Sequence, residues 1–254
     1  MHEPARAGQL RRVTSQRSDS PPTEAQPAAQ APHRQVAVLA AGFALLAAAA
    51  AFAAVMRADR TRPPVTGMDR GWLSLVRTTR STPATDVFKV LSLIGGPDGA
   101  TIIVVLLCAG LVVISRWRTA IYLGLAEALG STCSDLTKHF VLRLRPPHPL
   151  VGADIGSFPS GHVITTIGVG LALTFALARP GHRRWALTAV AVAGLLMMFC
   201  RTYLAAHWLS DTLESLPIAL GVGLTLWWAF GPFLDRDRER PARLPSWVPR
   251  WGSA

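Results

Sequence analysis

Six apolar runs divide this chain: residues 36–56, 100–115, 119–137, 161–178, 185 to about 203, and about 213 to 234. A membrane helix takes about 20 apolar residues, with a range near 17–25. Runs one, four, five and six meet that alone. Run two is short, and run three is interrupted by Glu127 and Asp135, so both need packed neighbours. The pattern predicts an all-α fold, a six-transmembrane-helix bundle over residues 35–234 with flexible polar termini. Residues 1–34 are rich in Arg, Gln, Ser, Pro and Ala, lack a hydrophobic period, and read as a disordered tail. The tail 235–254 alternates acid and base before Trp247 and Trp251 and reads as flexible. The first run is long for a signal peptide and begins far from the N-terminus, so it is read as an uncleaved anchor.

Between runs one and two lies a segment too polar to cross. Within 57–99, residues 71–76 and 87–91 fit short interfacial helices. Gly95-Gly96-Pro97 breaks any helix before run two.

Composition agrees with the pattern: half the residues are hydrophobic and the mean hydropathy is +0.31, typical of a multi-span membrane protein. The formal charge is +11, and Lys89 and Lys138 are the sole lysines. The basic residues sit between spans rather than in one block. That favours anionic lipid headgroups and argues against nucleic acid as a partner. Cys108, Cys133 and Cys200 fall inside apolar runs and form no CxxC pattern, so they read as packing residues. Arg placement puts the N-terminus in the cytoplasm and the polar loops after runs three and five outside. The 57–99 segment would also be outside, yet it holds Arg57, Arg60, Arg62, Arg70, Arg77, Arg80 and Lys89, against the rule. The two polar loops share one face in either orientation.

Three stretches at the ends of apolar runs carry chemistry. His207 and Asp211 are four apart, which places them on one helix face. A carboxylate there can fix the imidazole tautomer and leave the other nitrogen as a nucleophile. Arg201, six residues earlier, suits phosphate oxygens. In Pro159-Ser160-Gly161-His162, Ser160 is a natural N-cap and Gly161 lets a backbone N–H approach an anion. His162 in the first turn suits a general acid. Lys138 and Arg145 add two cations before Pro146 and Pro147, while Arg143 between them takes no assigned role. Asp135 is placed to pair with Lys138, and Glu127 sits in mid-span without a clear task. Each stretch alone reads as readily as interfacial basic residues and helix caps. Together they form a phosphate site.

These residues resemble the phosphatidic acid phosphatase type 2 superfamily, whose pattern is K-x6-R-P, P-S-G-H and S-R-x5-H-x3-D. One position departs: Cys200 stands where the family has Ser. The resemblance covers about residues 36–234. It implies hydrolysis of a lipid phosphate or diphosphate, without metal or other cofactor, through a phosphohistidine. His207 would attack, Asp211 would orient it and His162 would protonate the leaving oxygen. Lys138, Arg145, Ser160, Gly161 and Arg201 would hold the phosphate. Polyprenyl diphosphate, phosphatidic acid and phosphatidylglycerol phosphate are the implied candidate substrates, at the extracytoplasmic face of the plasma membrane. A lipid phosphotransferase would use the same residues. A non-enzymatic lipid-binding or transport protein would be expected to have lost some of them. The related vanadate haloperoxidases are soluble, which six apolar runs oppose. Neither substrate nor oligomeric state is written in these motifs.

Overall fold

The computed structural model describes residues 32–152 and 156–239; residues 1–31 of the expected N-terminal tail, and the C-terminal tail beyond residue 239, lie outside them, while residues 32–34 of the expected tail begin the first helix. The described residues form eight α-helices and one 3-10 turn, with no strand among them. The helices are α1 (Pro32–Ala58), α2 (Thr66–Thr78), α3 (Thr82–Ile94), α4 (Pro97–Val113), α5 (Trp117–Val141), α6 (Gly161–Leu177), α7 (Arg183–Tyr203) and α8 (Leu209–Glu239). Helices α1, α4, α5, α6, α7 and α8 coincide with the six apolar runs. Helix α8 continues five residues past the expected end of the bundle.

By length and composition, the stretches Gln35–Ala58, Pro180–Tyr203 and Leu209–Glu239 can each cross a membrane. Helices α3 and α4 add a fourth if taken as one span, bent by 52° at Gly95-Gly96. Helix α6 is apolar but has only 17 residues, about 26 Å at 1.5 Å per residue. Large side chains such as Ile102, Val105, Leu106, Val192 and Leu195 point outward from α4 and α7. Such a band has no place on a water-facing surface and fits contact with lipid.

Helix α6 is the axis of the bundle, packed against α5, α7 and α8. Val163, Ile164, Ile167 and Leu171 bury on its faces, against Met197, Met198 and Cys200 of α7 and Ile218 and Ala219 of α8. Gly130 of α5 lets Ile164 come close: a Cβ there would stand 3.1 Å from Ile164 Cγ2.

Helices α2 and α3 occupy the segment expected to stay outside the span region, and they are longer than the short helices read from sequence. Helix α2 has a buried face at Asp69, Leu73 and Val76, spaced i, i+4, i+7. Ser81 caps α3, accepting from Ala84 N at 3.4 Å, with Pro83 in the first turn. Tyr203 pins the α2–α3 corner to α7: its carbonyl accepts from Arg80 Nε at 2.9 Å, and its hydroxyl accepts from Ser81 N at 2.9 Å.

Candidate active site

The ends of α5, α6, α7 and α8 meet at one end of the bundle, and the loops between them are tied together. Helix α5 stops at Leu142, whose left-handed backbone (φ 52°, ψ 40°) turns the chain so that Arg143 enters the interior and Leu144 faces out. Leu150 N donates to Leu204 O at 2.8 Å, and Ser157 N to Arg143 O at 2.9 Å. Ser160 N reaches Asp211 O at 3.2 Å and Ser215 Oγ at 3.1 Å, which locks the start of α6 to α8. The shared face expected of the two polar loops is therefore a direct contact.

A cavity of about 280 Å³ opens among these ends, lined by Lys138, Arg145, Gly161, His162, Arg201 and His207. Four cations (Lys89 included), two imidazoles and the start of α6 surround one hollow. Lys89, Ser92 and Asp98 contribute from α3 and α4.

His207 is buried and sits in the turn before α8, not on the helix as its spacing from Asp211 suggests. Ala205, at φ 52°, bends the chain there. The ring is fixed by a backbone carbonyl: His207 Nδ1 lies 2.5 Å from Ser157 O, whereas Asp211 Oδ2 is 3.7 Å away. A carbonyl can only accept, so Nδ1 carries the proton and Nε2 keeps a lone pair. That nitrogen lies 3.5 Å from Arg145 Nη1, on the cavity wall. Burial, and then the charges of Arg201 and Arg145, hold His207 neutral well below the usual imidazole value of 6.5; the Ser157 bond pulls weakly the other way. Neutral imidazole is the form that can attack.

Asp211 does its bonding elsewhere. One oxygen accepts from Trp208 N at 2.8 Å, closing the turn that carries His207, and the other receives Arg143 Nη1. Arg143 in turn donates to Asp69 Oδ2 at 2.6 Å and to Ser210 Oγ at 2.7 Å. Asp69 also accepts from Ser210 N at 2.9 Å and Ser210 Oγ at 2.7 Å. Asp69, Arg143 and Asp211 are 1%, 5% and 0% exposed, so two carboxylates sandwich one guanidinium out of water. Buried charges persist only when matched and hydrogen-bonded in this way. Sequence reasoning left Arg143 idle and passed over Asp69. The available signal was a carboxylate standing on the apolar face of α2, in register with Leu73 and Val76.

His162 faces the cavity at the first turn of α6. Its Nε2 donates to Ser92 O at 3.1 Å, with Ser92 Oγ at 3.5 Å. Arg201 donates to the same Ser92 hydroxyl. Ser92, buried on α3, thus holds a cation and an imidazole together, and nothing in the three motifs pointed to it. Lys138 pairs with Asp135 at 3.2 Å, as the spacing predicts. Arg145 donates to Ala206 O at 2.7 Å, which orients its fork beside His207.

Ser160 stands at the N-cap of α6 but makes no capping bond; its buried Oγ has no partner among the described residues, nor has Ser134 Oγ. A Cβ at Gly161 would come 3.2 Å from Ser134 Oγ and 3.6 Å from Lys138 Nζ. Glycine keeps that gap open in front of the free N–H groups of the helix, where an anion is favoured. Glu127 accepts from Thr165 Oγ1 at 3.2 Å, joining α5 to α6 within the bundle and away from the cavity lining.

A helical membrane bundle with phosphate-directed cations and two imidazoles around one hollow defines a membrane phosphatase. Residues 119–234 match the PAP2 superfamily. No curated protein matches the sequence. The fold is similar to that of a transmembrane PAP2-type phosphatidylglycerolphosphate phosphatase from Bacillus subtilis. The TM-score is 0.64 at 21% identity, covering 78% of this chain and 98% of that one. It is also similar to LpxE from Aquifex aeolicus, with TM-score 0.53 at 18% identity over 63% and 94% of the two chains. At these identities the likeness is one of fold.

Proposed function

We propose that this protein hydrolyses the phosphate of a membrane lipid through a phosphohistidine on His207. The observation that carries the reading is the His207 ring: one nitrogen is tied to Ser157 O, and the other, 3.5 Å from Arg145 Nη1, lies on the wall of a cavity ringed by Lys138, Arg145 and Arg201. His207 Nε2 attacks phosphorus as the bond to the lipid oxygen breaks. That oxygen takes a proton from His162, which enters the step as imidazolium beside the bound anion. Water then attacks the phosphohistidine, His162 takes its proton, the P–N bond breaks and phosphate leaves. Lys138, Arg145, Arg201 and the N–H groups at Gly161 stabilise the charge on the transferring group, which is most of what phosphoryl transfer asks of a protein. Asp211 acts by holding the turn that carries His207.

The lipid is a phosphate monoester or diphosphate, such as phosphatidic acid, phosphatidylglycerol phosphate or polyprenyl diphosphate. The six long helices span the plasma membrane, with the cavity at its extracytoplasmic face. The direct test is phosphate release from a panel of these lipids with EDTA present. Release that survives chelation supports the reading and identifies the substrate. No release from any of them would leave a lipid-binding protein, and transfer to an added alcohol in place of water would make it a phosphotransferase.

A further inference from the structure

The arginines of the 57–99 segment have a place in the structure that membrane topology does not explain. Arg60, Arg70 and Arg77 converge on a second cavity of about 560 Å³, twice the size of the first. Arg143, Arg145 and Asp69 complete its charged lining, so five arginines meet one carboxylate. Arg143 is already matched by Asp69 and Asp211. Arg77 spends one N–H on the neutral Pro147 carbonyl at 2.8 Å. Arg60 is half-buried, yet neither it nor Arg70 has a hydrogen bond or ion pair among the described residues. Cations gathered round one hollow repel each other, and an anion within it relieves that repulsion. Leu73, Leu144 and Trp208 supply apolar wall beside the charge.

We infer that this cavity is a second phosphate-binding site, beside the reaction cavity and sharing Arg145 with it. Its ligand is a phosphate-bearing anion that is not hydrolysed. The apolar wall favours the diester headgroup of an anionic phospholipid, and inorganic phosphate is the other source of the same chemistry. The site would explain why cations collect where the topology rule disfavours them.

The test reads binding, so it stands apart from whether the protein is a phosphatase. The full chain in detergent micelles is titrated calorimetrically with short-chain phosphatidylglycerol, short-chain phosphatidylcholine and inorganic phosphate. Phosphatidylglycerol is a diester that a monoesterase leaves intact. It should bind where phosphatidylcholine does not. The double variant Arg60→Gln/Arg70→Gln should weaken that binding by about tenfold or more, and Lys138→Gln should leave it unchanged. If inorganic phosphate is the ligand whose affinity falls in the arginine variant, the site stands and is filled from solution. Affinities that ignore the arginine variant overturn the proposal. So does an equal loss in Lys138→Gln, because the two hollows would then be one. Should the double variant fail to fold, the exposed Arg70→Gln alone gives the same readout.

Discussion

The two ends of the bundle solve the same problem and stop at different points. At the far end, Asp237 is buried on α8 and accepts from Arg118 at 3.1 Å, Thr119 N at 3.0 Å and Thr119 Oγ1 at 3.2 Å. It caps the start of α5 and closes on itself. Arg238 donates to the carbonyls that end α6, and Arg183 lies over the Phe175 and Trp227 rings at 4.9 Å. None of these residues lines either of the two cavities described above. At the site end, Asp69, Arg143 and Asp211 form a similar closed unit, but a second layer sits on it. Lys138, Arg145, Arg201, His162 and His207 are each gripped by a neighbour and still present an edge to the cavity. The charge of Asp237 ends in its partners; the charge around the cavity is held from behind and left facing a space.

That contrast can be broken residue by residue. The largest effect is expected at His162. Replacing it by Gln should lower kcat by about 10²–10⁴-fold, the usual worth of a positioned acid, with little change in melting temperature. Steady-state assays on an alkyl and an aryl phosphate check this, since the aryl leaving group needs less protonation and should suffer less.

Asp69→Asn is expected next. Loss of one carboxylate from the buried triad should cost roughly 3 kcal/mol of stability and lower kcat more than it raises KM, because Asp211 and the His207 turn lose their brace. A purely structural Asp69 would lower the melting temperature and leave kcat per folded molecule alone. Asp237→Asn supplies the control from the other end. It should cost a similar ~3 kcal/mol in a thermal melt with kcat unchanged, and a fall in kcat there would erase the distinction between the ends.

The smallest effect is in pH. His207 is neutral in the folded protein below 6.5 but protonates near 6.5 when unfolded. The unfolded state therefore binds more protons below that value. The His207 contribution to stability is complete above pH 6.5 and is lost as pH falls from there toward the depressed folded value. For the same reason, the acid limb of kcat/KM governed by His207 should lie below 6.5. A limb at the ordinary imidazole value would place His207 in water rather than in the buried turn.

The sequence made most of this visible. The six apolar runs became the six long helices, because apolar runs of that length settle into helices in lipid whatever their tertiary neighbours. The cavity residues were legible because their chemistry demands rare types at helix ends. Asp69, Ser92 and the Ser157 carbonyl were not. Two of them come from the 57–99 segment, whose helices α2 and α3 fold onto α7 and α8 through contacts that no local period encodes. A carbonyl has no residue signature at all. The i, i+4 spacing of His207 and Asp211 misled for a related reason: the turn at Ala205 takes His207 off the helix, and a backbone group does the work the spacing assigned to a carboxylate.

The most direct measurement is to rapid-quench the protein with a ³²P-labelled lipid phosphate, digest it under alkaline conditions and map the label. Acid-labile, base-stable phosphate on the peptide containing His207, absent in His207→Ala, is the expected result. Full turnover by His207→Ala, or label that stays when His207 is gone, would contradict nucleophilic attack by this ring.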